Sequence, residues 1–67
     1  MTLQQAVSEA VKAARHNAGI TQKTLADKIG LPLWAVTKLE AGNYDITLHT
    51  LEKIAVALKA DIDIVLK

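Results

Sequence analysis

The chain has 67 residues, no cysteine, and eight lysines and arginines against seven aspartates and glutamates, a formal charge of +1. That length allows one domain with one small core, at a size where many domains are only marginally stable alone and a partner chain would be an unsurprising help. Disulfides and thiol chemistry are excluded, no apolar run is long enough to span a bilayer, and no signal peptide opens the chain, so the expectation is a cytoplasmic protein with no membrane partner.

Thr2 followed by Gln5 has the spacing of a capping box. Leu3, Ala6, Val7, Ala10, Val11, Ala14 and Ala18 then recur at a helical period, which predicts a first helix from about Leu3 to Ala18, ended by Gly19. Thr21 can cap a second helix with its hydroxyl, and Leu25, Ala26 and Ile29 fall on one face of it. Gly30 stands where a helix ends in a left-handed residue, a state that costs a residue with a Cβ about 1 kcal/mol or more. Pro32 has no N–H and a φ preset near the helical value, so it suits the first turn of a third helix. Val36 and Leu39 would point back at Leu25 and Ile29, and Ala26 is too small to hold the two helices apart. Leu33, Trp34, Thr37, Lys38 and Ala41 are left on the face the core does not claim.

Asn43-Tyr44-Asp45 is loop chemistry, and Thr47 can cap a fourth helix. Leu48, Leu51, Ile54, Ala55 and Leu58 give that helix, from about Leu48 to Lys59, one apolar face that closes the core. In the last segment Ile62, Ile64 and Leu66 alternate with Asp61, Asp63, Val65 and Lys67, the period of a strand, while Ile62, Val65 and Leu66 also fit a short fifth helix. A lone strand cannot satisfy its own backbone, so the strand reading requires the same strand from a second copy, paired antiparallel about a two-fold axis.

The order Gln22, Leu25-Ala26, Ile29-Gly30-Leu31, Val36, Leu39-Glu40, Gly42 resembles the helix-turn-helix of the lambda-repressor-like DNA-binding proteins, including regulators of the xenobiotic-response-element class. The resemblance runs from about Val11 to Leu58. It implies an all-α fold of four or five helices over residues 1–60. Residues 61–67 depart from the usual family ending, and their own pattern makes them the dimerisation strand or short helix, the strand version resembling the endings of some antitoxins in this family. The resemblance also implies a homodimer that reads a palindromic stretch of double-stranded DNA through the major groove, as a transcriptional regulator. Two forms of regulator fit: the autorepressing antitoxin of a toxin/antitoxin pair, whose further partner would be the toxin protein, and a phage or plasmid-type regulator. The strand-like ending tilts the reading to the antitoxin.

By position in this motif, Gln22 and Lys23 would meet phosphates, and Leu33, Trp34, Thr37 and Lys38 would face base edges. Asn43 and Tyr44 lie in the loop that in the family runs beside the DNA backbone; for Tyr44 a packing role is an equal reading. Arg15 and Glu40 occupy positions where the family often forms a partly buried ion pair, against the reading of two solvated charges. Leu33 and Trp34 depart from the polar residues many relatives carry there. They fit contact with thymine methyls, cover for the core, or a protein partner, and the last would make the chain an interaction module that no longer binds DNA. Charge gives modest support to DNA: residues 1–44 balance to +2 and residues 45–67 to −1, which an ordinary solvated surface also accommodates.

Nothing in the sequence points to an enzyme, a metal or another cofactor. His16 and His49 have no metal-ligand spacing, Ser8 has no base near it in sequence, and Gly19, Gly30 and Gly42 each close a helix instead of forming a phosphate loop.

Overall fold

Threonine starts three of the helices. In the computed structural model, which describes residues 2–59, Thr2, Thr21 and Thr47 sit in extended backbone and accept from the amides of Gln5, Thr24 and Thr50. Each cap satisfies an amide that would otherwise lack a partner, a contribution of about 1 kcal/mol. The helices they open are α1 (Leu3–Asn17), α2 (Gln22–Ile29) and α4 (Leu48–Leu58). At Thr2 the capping box is complete, because the Gln5 side chain accepts in return from the Thr2 amide at 2.9 Å. The remaining helix, α3 (Leu33–Glu40), has Pro32 at its N-cap, one step before the first turn, and no side-chain cap.

The turn between α2 and α3 is built on Gly30, at φ +73°. Past it the Leu31 amide returns to the Ala26 carbonyl at 3.0 Å, which satisfies a carbonyl at the end of α2. The end of α3 repeats the device, with Gly42 at φ +81° and the Asn43 amide on the Lys38 carbonyl.

The core joins all four helices: Val7 and Val11 from α1, Leu25, Ala26 and Ile29 from α2, Val36 and Leu39 from α3, and Ile54 and Leu58 from α4. α2 packs against both α3 and α4, and α1 crosses the same two helices. Ile20, Leu31, Tyr44, Ile46 and Leu51 cover its margins.

Three positions that the helical period assigned to the buried face are exposed: Ala18, which caps the end of α1, and two large side chains, Leu3 at 59% and Leu48 at 84%. The two leucines stand in the first turn of a helix, beyond the rim of the core, and flank a groove that also contains Ile46 and Leu51. Ala35, in contrast, is buried although the period did not single it out. Among the described residues the fold is all-helical and no helix is long and apolar enough to cross a membrane. The strand or short helix expected over residues 61–67, with Ile62, Ile64 and Leu66, lies outside the described residues.

Candidate nucleic-acid interface

A buried carboxylate organises this face of the protein. Glu40, at the end of α3, is only 3% exposed, and Arg15 of α1 grips it with two hydrogen bonds, Nε to Oε2 at 2.7 Å and a terminal nitrogen to Oε1 at 2.9 Å. The other terminal nitrogen of Arg15 donates to the Ile20 carbonyl. Ser8 donates its hydroxyl to the backbone carbonyl of Glu40. The hydrogen bond to Glu40 holds the Arg15 guanidinium above its ordinary pKa, so it stays charged throughout the neutral range. A buried charge with a bidentate partner is tolerated, whereas one without a partner is not.

From Glu40 the polar contacts continue outward. Gln22, at the first position of α2, donates its side-chain amide to Glu40 Oε1 at 3.2 Å and accepts from the Thr37 hydroxyl at 3.0 Å. Thr37 and Lys38 are exposed on α3, next to Leu33 at 47% and Trp34 at 59% exposure. The Trp34 ring meets Tyr44 edge-on, with centroids 6.2 Å apart, and the Lys38 ammonium lies 5.8 Å from the indole centroid. Tyr44 is half-buried, with its inner side on the core, and Asn43 beside it is exposed.

Leu33, Trp34, Thr37 and Lys38 therefore share one outer surface of α3, bordered by Gln22 at the start of α2 and by Asn43 and Tyr44 in the following loop. Lys23 lies on the exposed side of α2 and pairs with Asp27 one turn on, at 3.4 Å. Arg15 takes no part in the surface, being committed to Glu40. Spacing in the sequence offered no signal for the Gln22–Thr37 contact, the Ser8–Glu40 bond or the edge-on contact of Trp34 with Tyr44. The first two depend on how the helices cross, and the third on the path of the loop that brings Tyr44 back to α3. His16 and His49 are exposed, and among the described residues no group of three or more His, Cys, Asp or Glu could hold a metal ion.

A short helix, a left-handed glycine turn and a second short helix with an open outer face match a known family model, described as helix-turn-helix, over residues 11–65. The chain belongs to the lambda-repressor-like helix-turn-helix family. Among solved helix-turn-helix structures it is similar to the restriction-modification controller protein C.Esp1396I, with 30% identity and a TM-score of 0.84 over 91% of this chain and 80% of that one. It is also similar to the clp gene regulator ClgR from C. glutamicum, with 25% identity and a TM-score of 0.86 over 90% of this chain and 77% of that one. No curated protein matches the sequence.

Proposed function

We propose that the protein is a sequence-specific DNA-binding transcriptional regulator that acts as a homodimer, with α3 in the major groove. The observation that carries this reading is the outer face of α3, whose Leu33, Trp34, Thr37 and Lys38 are exposed on a helix held rigidly from behind by the Arg15–Glu40 pair. Residues 1–60 form the reading unit in this proposal, and residues 61–67 join the two copies through Ile62, Ile64 and Leu66. Gln22, Lys23, Asn43 and Tyr44 meet the phosphate backbone, which sets the register of α3, while Thr37, Lys38 and the apolar pair meet base edges. The two α3 helices would stand about 34 Å apart and read half-sites one helical turn apart. Both similar structures named above carry regulators by their descriptions, which supports the same class here. Within that class, an autorepressing antitoxin and a phage or plasmid-type regulator differ in one cheap observation, a toxin gene beside this one.

One observation favours a second reading: a leucine and a tryptophan side by side on the open face, where Trp is the residue most often found at protein hot spots. An interaction module of this kind would lose its partner with Trp34→Ala and be indifferent to Lys38→Ala. For the DNA reader both substitutions weaken binding to DNA from upstream of its own gene, measured by fluorescence anisotropy with two protein copies per site. Indifference of DNA binding to both changes would contradict the regulator.

A further inference from the structure

Building on the DNA-reading function proposed above, we infer that Thr37 offers DNA a hydrogen-bond acceptor and not a donor. It would thereby select a base whose major-groove edge carries an amino group, adenine at N6 or cytosine at N4.

A threonine hydroxyl has one proton to give. Two acceptors lie within reach of Thr37 Oγ1 inside the protein, Gln22 Oε1 at 3.0 Å and the Leu33 carbonyl one turn back at 3.1 Å. The second is the bond that helical threonines make to their own backbone.

The polarity of the first is dictated from the core. Glu40 is buried and paired with Arg15, and an ionised carboxylate only accepts. The Gln22 amide must therefore turn its nitrogen to Glu40, which puts its oxygen toward Thr37. The opposite flip would set two oxygens against each other at 3.2 Å. Arg15 and Gln22 thus both donate to Glu40, and Thr37 donates to Gln22, so the polarity of each bond is set by the carboxylate. With its proton directed inward to either acceptor, Thr37 has only lone pairs to turn outward. Guanine O6 and thymine O4 are acceptors too and would be repelled, so Thr37 reads which strand of a base pair bears the amino group. Arg15 and Glu40 fix this preference without touching DNA.

The test starts by selecting binding sites from a random duplex library with the protein and with Thr37→Val, an exposed and nearly isosteric change that keeps the methyl and removes the oxygen. The expected result is one position per half-site at which the protein requires adenine or cytosine and Thr37→Val accepts any base. At that position, purine in place of adenine, or 2-pyrimidinone in place of cytosine, should weaken the protein about three- to tenfold per half-site and leave Thr37→Val unchanged. Thr37→Ser, which keeps the hydroxyl, should keep the preference. An unchanged set of preferences in Thr37→Val, or a requirement for guanine or thymine at the affected position, would overturn the inference while leaving the DNA-reading function intact. Failure of the unsubstituted protein to enrich any site would overturn the DNA-reading function itself, and this inference with it.

Discussion

Arg15 and Glu40 show how much one pair of side chains can decide in a 67-residue chain. The pair is nearly dry, so removing one partner leaves a charge without compensation in the core, a loss of about 3–5 kcal/mol. A domain this small has few such units to spare, and Arg15→Ala or Glu40→Ala is expected to be largely unfolded in urea titrations at 37 °C. The double change Arg15→Met with Glu40→Leu should recover most of that loss, because it leaves no unpaired charge. The arginine pKa is raised by folding, so its stabilising contribution is complete below the ordinary arginine value and is lost only as pH rises through the folded one. Denaturation midpoints should therefore show no loss from this group up to about pH 10. From sequence alone the pair was accessible only through family resemblance, since Arg15 and Glu40 lie 25 residues apart and nothing in their local spacing links them. The Gln22–Thr37 contact had no such precedent to draw on, and it was found only in the folded geometry.

At the scale of elements, the helix-turn-helix depends on two small residues. A Cβ added at Gly30 would meet nothing within 4 Å, so Gly30→Ala has no steric clash and its cost is the left-handed backbone alone. A loss of about 1–2 kcal/mol is expected in chemical denaturation, with the native fold retained. Ala26 is the reverse case: its backbone is ordinary, but it is fully buried between α2 and its neighbours. Ala26→Leu should overpack that contact and cost about 1–3 kcal/mol, and by pushing α3 outward it should weaken DNA binding more than stability alone explains. These elements were legible because each signal is local: a threonine cap, an apolar face, a left-handed glycine. Leu3 and Leu48 misled for a physical reason, because helical period tells which face is apolar but not where along the helix the core ends. Ala35 went unremarked because alanine at one position in an apolar helix carries little periodic signal.

Among the described residues the α2–α3 face presents little free positive charge to DNA. On the α2–α3 face each copy has Lys23, shared with Asp27, and Lys38, drawn over Trp34. If both lysines of both copies of a dimer displace counterions, the logarithm of the binding constant should fall against the logarithm of salt with a slope of about −3.6. Lys38→Ala should bring that slope to about −1.8 and relax the preference at the base position it meets, while Trp34→Ala should leave the slope and alter affinity for particular sites. The proposed function has this helix-turn-helix read a specific operator as a homodimer. Its most direct test is a titration of the purified protein against DNA from upstream of its own gene and against scrambled DNA of equal length, at about 50 and 200 mM salt. Selective binding of two copies per site is expected, weakened about a hundredfold between the two salt concentrations. Equal weak binding to both DNAs, or none, would contradict the proposed function and turn attention to a protein that docks on Trp34.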